Sequence, residues 1–279
     1  MGYYGKISDM AEQQYVIDCL RKDIPLEYLE ECHTVDTRLT KVNTIDDEYW
    51  VLRPPSIESN RRLEMPSGSY PKVAKEFDSL LNELKGFDIN IPQYQPFVSH
   101  FHTKEGSEGL GLCIASKYIH GKCLPMNECN GKWGENKCLY YETMSNWIDS
   151  MTKYSISKYL CAEDSPKFLS DVFRPIQFVY SFEQMKIFLV DLDPLFSNIL
   201  ENNGKVSERF LVSLTTLNSV RNRYFNKGYE DGVIDKKWGK KSKELMEKFF
   251  LKSDFLDRVD KSPYSQRILN NLISRVQYS

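Results

Sequence analysis

The order of local patterns predicts an α+β fold with two lobes, a small strand-rich lobe followed by a larger helical lobe. β-Forming residues cluster in the first third of the chain, and helical periodicity dominates the remainder. A single short hairpin, with strands near 178–180 and 186–190, interrupts the helical part. We therefore predict an N-terminal helical extension over residues 1–36, a strand-rich lobe over 37–120 and a helical lobe over 121–279.

Local patterns predict the elements of the first third in chain order. Apolar residues at helical spacing over 13–31 predict a helix in the N-terminal extension. Residues 39–52 contain an Asp-Asp turn signal and end at a Pro-Pro pair, which predicts a two-stranded hairpin. Residues 72–84 carry an apolar stripe before a glycine, which predicts an amphipathic helix. Residues 89–98 and 110–118 are predicted to be extended.

The helical lobe opens with a segment rich in glycine, asparagine and cysteine over 121–137, which we interpret as an insertion. Residues 139–160 predict a long helix, because their apolar side chains recur at helical spacing. From about residue 206 onward the pattern is helical and charged. The basic run at 236–243 is typical of a solvated helix face.

Composition excludes some classes of partner. The chain of 279 residues has a net charge of −2 and a pI near 6.2, so it lacks the basic excess of a general nucleic-acid binder. No apolar run approaches the roughly 18 residues of a membrane span. The first residues lack an apolar stretch, so we expect no signal peptide in this chain.

The seven cysteines leave the compartment open. Four of them, Cys113, Cys123, Cys129 and Cys138, lie close together, at spacings that match no common zinc motif. Free thiols in a reducing cytoplasm are the favoured interpretation. A disulfide in this segment, which implies the secretory lumen, and a metal site both stay open.

Phosphoryl transfer from a nucleotide needs few protein groups, and candidates for them occur in chain order. A cation must hold the phosphates, and a helix carboxylate must hold that cation. Residues 50–53 and 74–81 resemble the third strand and the C helix of protein kinases, with Arg53 in place of the strand lysine and Glu76 on the helix. The resemblance implies that Arg53 and Glu76 position the phosphates of ATP.

The next two motifs resemble the hinge and the catalytic loop of the same superfamily. Residues 114–124 resemble the fifth strand and hinge, which implies that Ser116 and Tyr118 contact the nucleotide. Residues 170–179 resemble a catalytic loop of the type D-[FL]-[RK]-P-x-[NQ]-F-V, which implies that Asp171 orients the acceptor hydroxyl and that Gln177 is a magnesium ligand.

The last motif resembles the magnesium loop. Residues 187–194 end a strand in D-L-D, in place of D-F-G, which implies that Asp191 and Asp193 are metal ligands. This wording is similar to that of atypical secretory-pathway kinases such as the vertebrate lonesome kinase family. The resemblance implies a two-lobed protein-kinase-like fold that binds ATP and Mg²⁺ between its lobes and transfers phosphate to a protein, a glycan or a small molecule.

Departures from the kinase pattern keep a second interpretation open. No glycine-rich strand turn precedes Arg53, Gln177 replaces an asparagine, and Val172 occupies the position where the catalytic acid aligns. These features favour a pseudokinase, which binds nucleotide or a protein partner without catalysis. An unrelated α+β domain is the third alternative. None of the three predicts a nucleic-acid partner or a membrane span.

Overall fold

A computed structural model of the chain describes residues 27–31, 40–43, 49–53, 70–102, 108–124, 137–164, 167–192, 196–230, 232–233 and 240–277. The chain divides into two compact units. The first comprises residues 1–81, 91–119 and 190–194, and the second comprises 82–90, 120–189 and 195–279. The predicted α+β class, with a strand-rich part and a helical part, is confirmed. The predicted limits of the three segments stay a prediction.

The first unit contains an antiparallel sheet of five strands. In chain order they are β1 (Glu27–Glu31), β2 (Thr40–Asn43), β3 (Tyr49–Arg53), β4 (Tyr94–His102) and β5 (Glu108–Lys117). Their order in the sheet is β1-β2-β3-β5-β4. The strands predicted before the Pro-Pro pair and near 110–118 are confirmed as β3 and β5.

Strand β1 corrects the helical prediction for residues 13–31. Residues 27–31 are extended and pair with β2, with a register irregularity between Tyr28 and Glu30. The local pattern was compatible with a helix, but ladder hydrogen bonds to a neighbouring strand override such weak local preferences. Residues 1–26 lie outside the described part of the chain, so the rest of the predicted N-terminal helix stays a prediction.

Helix α1 (Tyr70–Gly86) confirms the predicted amphipathic helix and extends it at both ends. Its apolar stripe is buried, as the spacing predicts. Phe77 contacts the ring of Tyr94 on β4 edge-on at 6.3 Å, and the Tyr94 hydroxyl donates to Asp78 at 2.5 Å. Burial, together with the hydrogen bond to Asp78 and its charge, raises the pKa of Tyr94.

Helices dominate the second unit. They are α2 (Lys137–Leu160), α3 (Glu208–Glu230), α4 (Lys240–Phe250), α5 (Ser253–Leu256) and α6 (Pro263–Gln277). The long helix predicted over 139–160 is confirmed as α2. The core includes an edge-to-face aromatic cluster in which Phe210 of α3 contacts Phe168 at 5.3 Å and Phe250 at 6.3 Å. Among the helices that the structure describes, none is long and apolar enough to cross a bilayer.

Two small sheets complete the second unit. Strands β6 (Lys122–Cys123), β8 (Phe178–Ser181) and β9 (Lys186–Leu189) form one sheet in the order β6-β8-β9. Strand β7 (Lys167–Leu169) pairs with β10 (Phe196–Asn198) in the other. The predicted hairpin near 178–190 is confirmed as the antiparallel pair β8–β9. Most of the predicted insertion, residues 125–136, lies outside the described residues.

Candidate functional site

The segment that resembles a catalytic loop is anchored by apolar side chains. It consists of two short 3₁₀ turns, Asp171–Phe173 and Pro175–Gln177, between β7 and β8. Val172 and Phe173 are 4% and 1% exposed. The Phe173 ring contacts Phe168 at 6.0 Å, so the first turn is fixed to the helical core. The predicted catalytic acid Asp171 begins this turn, and its side chain lies outside the described part of the structure.

The second turn ends at the predicted metal ligand Gln177. Pro175 opens the turn, and the Gln177 N–H donates to the Arg174 carbonyl at 3.0 Å. The side chain of Gln177 is 6% exposed, and buried amides are costly unless they bond to other groups. Arg174, between the two turns, is extended and exposed.

The β8–β9 hairpin follows directly. In its register Phe178 pairs with Leu189, so these two residues form the open end of the hairpin. In the chain, Gln177 directly precedes Phe178, and Val190 directly follows Leu189. Trp147 of α2 contacts Phe178 at 4.9 Å and holds β8 against the helices. Along the sequence, Gln177 directly precedes β8, and Asp191 follows β9 after Val190.

Asp191 follows β9 after one intervening residue. Its side chain is partly buried, and its Oδ1 atom is shielded from solvent. Leu192, the next residue, is 2% exposed. The prediction of a carboxylate at a buried strand end is therefore confirmed as to its location, whereas its role as a metal ligand stays a prediction. Asp193 lies outside the described residues.

Strand β9 is held on its other side by the turn after α1. The Asn90 side chain donates to the Ile187 carbonyl at 2.9 Å, and the Leu189 N–H donates to the Asn90 carbonyl at 2.9 Å. Asn90 and Phe188 form an isolated parallel bridge. The turn itself is tight, because Asp88 has a positive φ of 60°. Asn90 therefore pairs with the outer edge of β9 as a single-residue bridge.

Gly121 lies where β6 approaches β8 closely. A Cβ atom at this position would overlap the Tyr180 carbonyl oxygen and come within 2.5 Å of Cγ1 of Val179. Only glycine fits such a backbone approach without displacement of the strand. The glycine of the hinge-like motif therefore has a packing role next to the hairpin, which the motif alone did not reveal.

A partly buried ion pair joins α1 to α2, and the sequence analysis did not predict it. Lys158 of α2 donates to Glu83 of α1 at 2.9 Å, with side-chain exposures of 4% and 39%. The buried end of the Lys158 side chain needs this carboxylate, because an ammonium without a partner is costly in the interior. The local patterns contained no signal for the pair, since both residues look like ordinary solvated helix charges.

The structure locates the predicted nucleotide-binding residues of the first unit by backbone register. Arg53 is the last residue of β3 and pairs with Ile114 of β5. The Arg53 side chain lies outside the described part of the structure. Ser116 of β5 is 7% exposed, and Tyr118 follows the strand and is partly buried. Glu76 is partly exposed on α1. The pairing of Arg53 with Glu76 stays a prediction.

The described residues include candidates for the predicted metal site and for the predicted cysteine chemistry. Among the side chains that the structure describes, no group of three or more His, Cys, Asp or Glu is placed to hold a metal ion. Cys123 and Cys138 are exposed free thiols. Cys129 and the side chain of Cys113 lie outside the described part, so the compartment stays a prediction.

No family model and no curated protein matches the chain. Among solved structures, an aminoglycoside phosphotransferase from Alicyclobacillus acidocaldarius is similar over 95% of this chain and 96% of its own, at 9% identity and a TM-score of 0.40. An effector kinase from Legionella pneumophila is similar over 96% of this chain and 66% of its own, at 10% identity and a TM-score of 0.36. Neither comparison supports the narrower resemblance to the vertebrate lonesome kinase family.

Proposed function

We propose that this chain is a kinase-like phosphotransferase that moves the γ-phosphate of ATP to a hydroxyl acceptor. The observation that carries the proposal is the register of the β8–β9 hairpin. It places the buried amide Gln177 and the buried strand end before Asp191 at one end of the hairpin. Kinase-like enzymes carry these groups in the same chain order. The catalytic loop comes first and ends in an amide, a hairpin follows, and the metal-binding acid comes last.

The residues present suit magnesium. Mg²⁺ prefers oxygen ligands and is commonly bound by one or two carboxylates together with substrate phosphates. Asp191 supplies a partly buried carboxylate, Gln177 supplies an amide oxygen, and Asp193 is the second acid of the motif. When bound, the ion would offset negative charge on the phosphates. A cage of three or more protein carboxylates is unnecessary for this chemistry.

The remaining roles are assigned by chain position. Asp171 accepts a hydrogen bond from the acceptor hydroxyl and orients it for attack. Arg53, at the end of β3, contacts the phosphates as a planar fork and is held by Glu76. Ser116 and Tyr118, at the end of β5, line the nucleotide-binding surface.

A pseudokinase is the second candidate, and one observation favours it. Val172, which aligns with the catalytic acid when Gln177 is matched to the kinase amide, is 4% exposed and part of the core. The acid is therefore offset by one residue, to Asp171. With this offset, the acid would orient the acceptor hydroxyl poorly. Nucleotide binding would stay intact, with Arg53 in the place of the kinase lysine.

Magnesium-dependent formation of ADP from ATP distinguishes the two candidates, since ADP is the leaving group whichever hydroxyl accepts the phosphate. For the enzyme, we expect Asp191→Asn to lower turnover by about 100-fold or more, since a bound metal contributes several kcal/mol to such steps. Asp171→Asn is expected to lower it by about 100-fold, the low end for a lost general base. Asp164→Asn, an exposed acid outside the motifs, serves as the matched control. Turnover that survives both substitutions together would contradict the assigned roles, and absent turnover with retained nucleotide binding would favour the pseudokinase.

A further inference from the structure

A cavity of about 330 Å³ adjoins the segment between the two 3₁₀ turns. Residues 174–176 form one wall, and a single face of α3 forms the other. Thr216, Ser219, Val220 and Arg223 share this face because they are spaced three, four and seven residues apart. The volume lies within the range of small-molecule sites, roughly 300–1,000 Å³. All of the lining residues belong to the second unit.

The charged side chains that line the cavity are arginines. Arg174 and Arg223 both line it, and no acidic side chain is among the described residues that do. A third guanidinium adjoins the wall, since Nη1 of Arg275 donates to Oγ of Ser219. The Ser219 hydroxyl donates its hydrogen to the Thr215 carbonyl at 2.7 Å, so the Ser219 oxygen is available to accept. This concentration of positive charge contrasts with the net charge of −2 of the chain.

The rest of the lining is apolar. Pro175 and Ile176 contribute from the turn, and Val220 and Tyr224 contribute from α3. Ile176 is 42% exposed and so presents apolar surface to the cavity. A ligand that suits both walls carries an anionic group for the arginines and an apolar body for this surface.

We propose that this cavity binds an organic anion, a phosphate monoester or carboxylate joined to an aromatic or aliphatic body. Arginine suits this role because its planar donors pair with the two oxygens of a carboxylate or phosphate. Arg174 lies three residues after Asp171 and so connects the cavity to the proposed catalytic segment. An anion of this class that also carries a hydroxyl would serve as the phosphate acceptor. That step rests on the proposed function, whereas the binding site itself does not.

Calorimetric titration of the full chain at low salt tests this site. The probes are phenyl phosphate, benzoate and the uncharged benzyl alcohol. We expect phenyl phosphate or benzoate to bind at least tenfold more tightly than benzyl alcohol, and the tighter of the two anions identifies the preferred group. Arg223→Gln and Arg174→Gln should each weaken anion binding by about tenfold or more, the effect of one lost charge-assisted hydrogen bond. Arg209→Gln, an exposed arginine on the same helix outside the cavity, should leave it unchanged.

The possible outcomes separate this inference from the proposed function. Absence of anion binding at millimolar concentrations, or binding equally tight in wild type and Arg223→Gln, overturns the inference even when ATP is turned over. Binding that is sensitive to Arg223→Gln supports it even when no turnover is detected. Circular dichroism of each variant checks that it is folded, which is expected because both arginines are exposed.

Discussion

Strands β8 and β9 belong to one hairpin, but neighbouring segments hold them in different ways. On the β8 side, β6 approaches so closely that Gly121 leaves no room for a Cβ atom beside Tyr180. On the β9 side, Asn90 uses both its side chain and its backbone in hydrogen bonds. The contact between β6 and β8 requires that residue 121 have no side-chain atoms. The contact between Asn90 and β9 requires that polar groups keep their hydrogen bonds. A substitution should therefore cost more on the β8 side, where the obstacle is backbone.

Gly121→Ala is expected to have the largest effect on the free energy of unfolding. The added methyl group meets the Tyr180 carbonyl, which cannot move without breaking the pairing of β6 with β8. We expect a loss of about 3 kcal/mol, measured by urea unfolding. Gly86→Ala is the matched control, because a Cβ there meets nothing within 4 Å and the same substitution should change stability by less than about 1 kcal/mol. Equal effects at the two glycines would contradict the close approach.

Glu83→Gln tests a second polar contact, the ion pair between α1 and α2. The substitution removes the carboxylate from Lys158, whose side chain is 4% exposed. We expect a loss of about 2 kcal/mol, less than for a fully buried pair because Glu83 is 39% exposed. Lys158→Met removes the ammonium itself, so no buried charge is left without a partner. It should lower the free energy of unfolding by less than Glu83→Gln does. The reverse order would show that the Lys158 ammonium is solvated.

Asn90→Ala is expected to have the smallest effect of the three. It removes one side-chain hydrogen bond to the Ile187 carbonyl and leaves the backbone bond to Leu189 in place. We expect a loss of about 1 kcal/mol in urea unfolding. Asn226→Ala, at an exposed position of α3, should stay within about 0.5 kcal/mol of wild type. A loss at Asn90 as large as that at Gly121 would remove the distinction between the two sides of the hairpin.

Elements with clear local patterns were predictable from the sequence. The apolar stripe of α1 is found where spacing predicts it, because burial of one face determines which residues must be apolar. Helix α2 and the β8–β9 hairpin are also found where they were predicted, although α2 is buried on most of its surface. Strand β1 was not predictable, since its pairing with β2 is a long-range choice. The Lys158–Glu83 pair was equally hidden, because it joins two helices that are distant in the chain.

Of the candidate site, the sequence predicted the hairpin between Gln177 and Asp191, which the structure confirms as β8–β9. The metal-ligand roles of Gln177 and Asp191 stay predictions. The sequence did not reveal the arginine-lined cavity, which forms only when the turn at 174–176 packs beside one face of α3. The roles assigned to Arg53, Glu76 and Asp171 stay predictions.

Thermal unfolding with ATP, in the presence and absence of Mg²⁺, tests the central claim most directly. The account predicts that Mg²⁺-ATP raises the unfolding temperature of the wild type by several degrees, since saturation to about 100 times Kd adds roughly 2.7 kcal/mol. It predicts a much smaller rise for Asp191→Asn and an unchanged rise for the control Asp164→Asn. A rise without Mg²⁺ would indicate a nucleotide-binding pseudokinase. Absence of any rise in the wild type, or an equal rise in Asp191→Asn, would contradict the proposed role of Asp191.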